Sequence, residues 1–266
     1  MGNELLALNI GLRISADQDT LEGRTCPEWW GRAVQACFLN AVAAKDQTLA
    51  ASLHAENQLH PYTVSSLLSA PKNAFPEADQ TVYIRITSLS ERLSYDIKGG
   101  IFEEGQRLDL DYIPFVIQPV AHDWLQSASF ADLVNYGVNH AEEPRLHLSF
   151  RSPLVFKTEG RSEALPLPHL VYGSLLRKWN AFSPISFPEE VLRYAGECLG
   201  ISQFNIRSVP IPLKQGGLRI GAVGEIRYRA LNRDKYWLSM LHSLTAFAAW
   251  SGIGSGTAYG LGQVRF

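Results

Sequence analysis

Residues Gly252–Gly262 read Gly-Ile-Gly-Ser-Gly-Thr-Ala-Tyr-Gly-Leu-Gly, so that two Gly-apolar-Gly triplets are separated by five residues. Glycine allows sharp backbone bends and lets another molecule approach its N–H groups, and such N–H groups can form concavities for phosphate oxygens. The segment follows an apolar, helix-like run, Tyr236–Trp250, and precedes a short strand-like tail. Nucleotide-binding glycine loops run from strand into helix, so we do not interpret the segment as one of them. Taken alone, it fits either a helix C-cap without a ligand or a phosphate-binding loop.

The composition is that of a globular protein, with 266 residues of which 46% are hydrophobic and 19% charged. The sequence contains no run of eighteen apolar residues that would predict a membrane span, and its first residues do not resemble an export signal. We therefore predict a cytoplasmic protein with no membrane partner. The three cysteines, Cys26, Cys37 and Cys198, lack a CxxC spacing and indicate buried thiols rather than disulfides or zinc ligands.

Charge is distributed unevenly along the chain, although the formal net charge is only −2. Residues 1–150 carry 10 Lys and Arg against 19 Asp and Glu, whereas residues 151–266 carry 14 against 7. This asymmetry favours a polyanion as the partner of the C-terminal half. The alternative is a basic face that contacts only solvent.

Hydrophobic periodicity predicts the same order of elements in both halves: strand, helix, strand, strand, helix, strand. In the first half, the strands are predicted at Leu6–Ile14, Tyr62–Leu68, Thr81–Leu89 and, as one extended segment, Leu110–Val120. In the second half, strands are predicted at Arg145–Ser149, Phe204–Ile211, Arg219–Arg229 and the terminal tail, and helices begin at Pro168, Pro188 and Tyr236. We predict an α+β fold with antiparallel sheets, made of two tandem ferredoxin-like domains at residues 1–140 and 141–266.

The sheet of a ferredoxin-like domain binds RNA through aromatic RNP motifs in many proteins, but no such motif occurs in this sequence. RNA contacts are therefore predicted for the basic hairpin strands and the glycine segment. The candidate RNA-binding residues are Lys214, Arg219, Arg227, Arg229, Arg233, Gly252, Gly254, Ser255, Thr257, Gly260 and Gly262.

Four segments occur in an order that points to one family. They are His60–Ser65 (HPYTVS), Ser149–Phe156 (SFRSPLVF) followed by Leu175–Asn180 (LLRKWN), Gly221–Tyr228 (GAVGEIRY) and Gly252–Gly262. Together they resemble the CRISPR-associated endoribonucleases that cut precursor CRISPR RNA within its repeats, members of the RAMP superfamily of double ferredoxin-like RNA-binding proteins. The resemblance spans the chain from about residue 5 to residue 266, and it implies CRISPR repeat RNA as the partner.

The resemblance implies RNA cleavage without a metal ion or cofactor, by attack of the ribose 2′-OH on the adjacent phosphate. Such a reaction needs a base, an acid and stabilisation of the phosphate charge, and histidine can serve as either proton-transfer group. Relatives with a catalytic histidine often carry it at the position of His54, which is the candidate general acid or base. His60 stands where some relatives have a phosphate-stabilising lysine, and it is the second catalytic candidate. For both, a surface histidine without a catalytic role is the alternative.

Two departures from the family pattern favour a different function. Many relatives place a basic residue between the glycine pairs, whereas residues 255–259 have none, and Phe38 and Leu39 stand where some relatives have a tyrosine. The alternative function is a non-catalytic RNA-binding subunit of a CRISPR effector complex, whose partners include other subunits. The carboxylates Glu103, Glu104, Asp109 and Asp111 are interpreted as a solvated acidic loop, and no metal site is predicted.

Overall fold

The computed structural model describes residues 4–16, 21–54, 59–71, 73–119, 125–158, 160–212 and 217–265. These residues form two compact units. The N-terminal unit holds the described residues up to Ser127 together with Ala258–Gly260, and the C-terminal unit holds Ala128–Thr257 and the described residues from Leu261 on. Within these ranges no helix is both long and apolar enough to cross a lipid bilayer.

Among its described residues, the N-terminal unit contains one antiparallel sheet, whose strands differ in length, and three helices. The strands are β1 (Leu5–Ile14), β2 (Tyr62–Val64), β3 (Val82–Ser88), β4 (Arg107–Leu110), β5 (Ile113–Ile117) and β6 (Leu125–Ala128), and the helices are α1 (Gly31–Lys45), α2 (Gln47–His54) and α3 (Glu91–Lys98). The strand order is β2-β3-β1-β5-β4, and β6 also pairs with β1.

The two faces of this sheet differ in polarity because side chains alternate along each strand. Ile10 of β1 lies opposite Ile84 of β3, and both belong to the hydrophobic core that also contains Phe38 of α1. One residue along, Asn9 of β1 lies opposite Arg85 of β3. The face that carries Asn9 and Arg85 is therefore the face turned away from this core, and we call it the polar face of the N-terminal sheet.

The C-terminal unit repeats the arrangement. Its elements are α4 (Phe130–Asn139), β7 (Arg145–Leu154), β8 (Phe156–Thr158), β9 (Arg161–Glu163), α5 (Pro168–Phe182), α6 (Glu190–Cys198), β10 (Leu199–Pro212), β11 (Leu218–Ala230), α7 (Lys235–Ser251) and β12 (Val264–Arg265). The strand order of the main sheet is β10-β11-β7-β12, and β8 and β9 form a separate two-stranded sheet. On the core side of the main sheet, Tyr172 of α5 lies 6.1 Å, ring centre to ring centre, from Tyr228 of β11.

In the N-terminal sheet β1 lies between β3 and β5, with β2 beyond β3 and β4 beyond β5. In the main C-terminal sheet β7 lies between β11 and β12, with β10 beyond β11, so β5 and β12 hold equivalent places. This is the strand order of a ferredoxin-like domain, so the predicted α+β class with two antiparallel ferredoxin-like sheets is confirmed. The division between the units falls at Ala128 and not at the predicted residue 140. The physical reason is the packing of α4, because the Phe130 ring lies 5.2 Å from Trp179 and 5.7 Å from Phe247, ring centre to ring centre.

The predicted extended segment Leu110–Val120 is interrupted by a hairpin turn. Leu110 at the end of β4 pairs with Ile113 at the start of β5, and the two residues between them, Asp111 and Tyr112, have φ angles of 54° and 60°. A two-residue turn with both φ angles positive is the usual connection of twisted antiparallel strands, and it favours asparagine or aspartate followed by glycine. Tyr112 stands where glycine is usual, so the pair does not show the usual turn pattern.

Candidate functional site

The first part of the glycine segment, residues 252–257, belongs to the C-terminal unit. Gly252 ends α7, with its N–H donating to the Ala248 carbonyl at 3.0 Å. Gly254 has a φ of 81°, and a Cβ at this position would lie 2.5 Å from the Val155 carbonyl oxygen. Glycine is needed at Gly254 because both the backbone angle and the close approach exclude a side chain.

The N–H groups of the glycine segment donate hydrogen bonds within the protein. Ile253 N–H donates to the Gly262 carbonyl at 2.9 Å, Gly254 N–H to Ser174 Oγ at 2.8 Å and Ser255 N–H to the Val155 carbonyl at 2.8 Å. Gly262 N–H likewise donates to the Pro153 carbonyl at 2.9 Å. A phosphate would have to compete with these acceptors for the N–H groups of Gly252, Gly254, Ser255 and Gly262, and the RNA contacts of these residues stay a prediction.

A buried lysine holds the segment from the side of α5. Lys178 Nζ donates to the Ser251 carbonyl at 2.5 Å and to Thr257 Oγ1 at 2.9 Å, with the Gly252 carbonyl at 3.5 Å. Burial, together with the nearby Arg177 guanidinium, lowers the pKa of Lys178 to about 7. Thr257, predicted to bind RNA, is itself buried and its hydroxyl is occupied by this contact. Lys178 lies in the LLRKWN segment, but nothing in that segment shows which residues a lysine will reach.

The tip of the glycine segment, Ala258–Gly260, belongs to the N-terminal unit. Trp29 Nε1 donates to the Tyr259 carbonyl at 3.0 Å, and a Cβ on Gly31 would overlap that same carbonyl oxygen. Gly260 has a φ of 100° and packs so closely that a Cβ would lie 2.9 Å from the Trp29 ring and 3.0 Å from Ser66 N. The predicted RNA contact of Gly260 thus falls on a buried residue whose surroundings are protein.

The tip also has a cation beside it, although residues 255–259 contain none. The Arg32 guanidinium carbon lies 5.7 Å from the centre of the Tyr259 ring, within the range of a cation–π contact. Arg32 is exposed at the start of α1, and Tyr259 is half-buried. Sequence reasoning missed this pair, because the two residues are far apart along the chain.

The two candidate catalytic histidines lie in the N-terminal unit. His54 is the last residue of α2 and is exposed, and His60 is half-buried just before β2, with its ring centre 5.3 Å from that of Tyr62. The Tyr62 hydroxyl accepts a 3.1 Å hydrogen bond from Gln35 Nε2 on α1. An exposed imidazole at the end of a helix can exchange protons with a bound substrate, and the half-buried His60 ring is held by its packing against Tyr62.

The predicted basic hairpin forms one open face of the C-terminal sheet. Arg227 and Arg229 of β11 are exposed and alternate with the buried Ile226 and Tyr228. Arg145 of β7 lies directly opposite Arg229, and Arg265 of β12 pairs with Ser149 on the same face. We call the set Arg145, Arg227, Arg229 and Arg265 the arginine face.

Few acidic side chains neutralise the guanidinium groups of the arginine face among the described residues. Arg145 Nε lies 2.7 Å from Glu143 Oε1, and Arg227 Nη1 donates to Gln203 Oε1 at 2.9 Å. His147 Nε2 lies 3.7 Å from Glu225 Oε2, which is too far for a hydrogen bond. Exposed guanidinium groups on an open sheet face suit contact with phosphates.

The remaining predicted RNA-binding residues are less clearly grouped. Arg219 is half-buried near the start of β11, and Arg233 is exposed between β11 and α7. Lys214 lies outside the described residues. Arg145 and Arg265, which share a face with Arg227, were missed, because only the strand register brings them together. Within the described ranges, no group of three or more His, Cys, Asp and Glu residues is arranged to hold a metal ion.

Comparison with known proteins agrees with this architecture. Residues 148–264 match the family model described as CRISPR-associated endoribonuclease Cas6. The C-terminal part of the chain is similar to this family. Cas6 from Mycobacterium tuberculosis (strain H37Rv) is 27% identical over 126 residues, which are 47% of this chain and 39% of that protein. The alignment thus spans well under half of the curated relative.

Solved Cas6 structures share the fold over nearly the whole chain. A Cas6 product complex is 24% identical with a TM-score of 0.79, and the match covers 98% of both chains. Thermus thermophilus Cas6 is 22% identical with a TM-score of 0.72, covering 98% of this chain and 97% of that one. A Cas6-related protein from Pyrococcus furiosus is 14% identical with a TM-score of 0.62, covering 98% of both chains. At these identities the matches show that this chain and the solved structures share a fold.

Proposed function

We propose that this protein is a metal-independent endoribonuclease that cleaves precursor CRISPR RNA within its repeats and so produces guide RNAs. The observation that carries the proposal is the family match over residues 148–264. This range contains Arg227 and Arg229 of the arginine face and most of the elements that hold the glycine segment. The similar solved structures include Cas6 product and substrate-mimic complexes and a RAMP protein that binds different RNA substrates, which supports RNA as the ligand.

The chemistry assigned to the site is attack of a ribose 2′-OH on the neighbouring phosphate, which leaves a cyclic phosphate and a 5′-OH. His54 takes the proton from the 2′-OH or gives a proton to the leaving 5′-oxygen, since its exposed imidazole is open to a bound strand. His60 provides the second proton-transfer group or stabilises the phosphate charge.

The arginine face binds the RNA backbone in this proposal. Its guanidinium groups present paired N–H donors that fit phosphate oxygens. Contacts of this kind give affinity that falls steeply with salt and carry no base specificity of their own. Recognition of the repeat, in sequence or in stem-loop shape, would then depend on where these phosphates lie.

The test is incubation of the purified protein with repeat RNA in EDTA, beside the same RNA carrying a 2′-deoxy sugar at the cut site. We expect cleavage of the first RNA and none of the second, with similar binding of both. Loss of cleavage in EDTA would refute metal independence, and cleavage of the deoxy RNA would exclude the 2′-OH as nucleophile.

A second candidate function is a non-catalytic RNA-binding subunit of a CRISPR effector complex. It is favoured by Phe38 and Leu39, which are buried in the core where some relatives have a tyrosine. Tight binding of repeat RNA by the unmodified protein without any cleavage would support this candidate. The cytoplasmic location inferred from the sequence stays a prediction under either function.

A further inference from the structure

Arg85 lies in the middle of β3 on the polar face of the N-terminal sheet. Its backbone is fixed on both sides, because its N–H donates to Ser65 Oγ and its carbonyl accepts from the Ser65 N–H, both at 2.8 Å. Asn9 of β1 lies directly opposite it. Because its backbone is paired on both sides, the Cβ of Arg85 has little freedom to move.

The guanidinium of Arg85 has no protein acceptor among the described residues. Two other arginines of the same unit do have one: Arg13 Nε donates to Thr81 Oγ1 at 3.0 Å, and Arg24 Nη1 to the Tyr112 carbonyl at 3.1 Å. Arg85 is half-buried, and burial lowers its pKa to about 10. A desolvated charge without a partner is costly, and proteins rarely keep one unless it is compensated.

The residues that flank Arg85 across the sheet are polar and uncharged. Asn9 and Ser65 lie on either side of it in the sheet, and Thr87, the next residue on its face, shares a 2.7 Å hydrogen bond with Thr63 through their hydroxyls. The tip of the glycine segment is close to the same place, since a Cβ on Gly260 would lie 3.3 Å from the Ser65 carbonyl carbon. An arginine with five donors in a planar fork, set among neutral polar groups, matches the geometry of a phosphate.

We propose that Arg85 binds a backbone phosphate of the RNA on the polar face of the N-terminal sheet. This inference rests on the proposed function for the identity of the ligand. Along the β2–β3 pair, Pro61 is hydrogen-bonded to Leu89 and Ser65 to Arg85, so His60 and Arg85 are separated by about five strand residues, or roughly 16 Å. Arg85 therefore contacts a different phosphate from the one near His60.

The test compares Arg85→Met with Arg107→Met, which removes an exposed arginine from β4 of the same unit, using repeat RNA made uncleavable by a 2′-deoxy sugar. For Arg85→Met we expect affinity to fall by about tenfold or more, and the slope of log affinity against log salt to decrease by about 0.7. Arg107→Met should bind like the unmodified protein, and Arg85→Lys should recover part of the affinity. Equal binding by the unmodified protein and Arg85→Met, or equal losses in both methionine variants, would overturn the proposal.

The melting temperature separates ligand binding from a structural role. Removing an unpaired, half-buried charge should leave Tm unchanged or raise it, whereas a lower Tm for Arg85→Met would assign the side chain to the fold and overturn the proposal.

A second arm needs no RNA: inorganic phosphate should raise the Tm of the unmodified protein more than that of Arg85→Met at matched ionic strength. Failure of the unmodified protein to bind or cleave repeat RNA would refute the proposed function, and Arg85 would then be judged by the phosphate arm alone, with equal Tm shifts refuting it.

Discussion

Trp29 donates the hydrogen of its indole Nε1 to the carbonyl oxygen of Tyr259 at 3.0 Å. The contact fixes the tip of the glycine segment against the start of α1, where Gly31 leaves no room for a side chain between helix and tip. The position of Tyr259, and with it that of Arg32 over its ring, depends on this packing.

Gly31→Ala should displace the tip, because the added methyl group would overlap the Tyr259 carbonyl. We expect a loss of about 1–3 kcal/mol in the free energy of unfolding and a larger relative loss in cleavage rate. Gly173→Ala is the matched control, since Gly173 lies inside α5 with open space at its Cβ, and it should leave stability equal or slightly higher. Urea denaturation and cleavage assays measure both effects. Normal activity in Gly31→Ala would show that the tip does not matter for cleavage.

His54→Ala should slow RNA cleavage by about a hundredfold or more with little change in binding, because general acid or base catalysis contributes on that scale. His169→Ala removes another exposed histidine, near the start of α5, and should cleave normally. Single-turnover rates at saturating protein give the comparison. An unchanged rate for His54→Ala would clear this residue of a catalytic role.

Lys178 should make stability depend on pH. Because burial lowers its pKa to about 7, the unfolded chain binds more protons than the folded one between about pH 7 and pH 10.5, and stability from this group rises with pH over that window. Between pH 7 and pH 9 the unmodified protein should gain up to about 2–3 kcal/mol relative to Lys178→Met. Urea denaturation at both pH values measures the difference, and parallel curves would contradict the lowered pKa.

Arg229→Gln should weaken RNA binding and reduce its salt dependence by a slope of about 0.7 to 0.9, as expected for one lost phosphate contact. Arg193→Gln removes an exposed arginine from α6 and should have no such effect. Filter binding at several salt concentrations provides both slopes. A slope that Arg229→Gln leaves unchanged would remove this residue from the interface.

Local patterns in the sequence predicted most of the fold. The alternation in Leu6–Ile14 and the apolar run of Tyr236–Trp250 correspond to β1 and α7, because each element is specified by its own residues. The hairpin at Asp111 and Tyr112 was not predicted, since tyrosine stands at the turn position where glycine is usual. The position of the division was also missed, because the packing of Phe130 depends on residues far along the chain.

The site was predicted only in part for the same reason. Arg227 and Arg229 could be identified from composition and alternation, and the structure places both on one open face. The partners of Lys178, of Arg32 and of the glycine N–H groups are set by tertiary contacts, which no local pattern encodes. The sequence suggested that the N–H groups of the glycine segment are free to bind phosphate. In the structure they donate to acceptors that include residues of β7, of α5 and of the loop after β7.

The placement of Ala258–Gly260 in the N-terminal unit has a consequence for biosynthesis. Every other described residue of that unit precedes Ala128, so the ribosome finishes the unit's main part long before its last three residues are made. Until then Trp29 lacks the Tyr259 carbonyl as its acceptor, and the residues that pack against Gly260 lack that contact. The N-terminal unit therefore reaches its final form only after nearly the whole of the other unit has been translated.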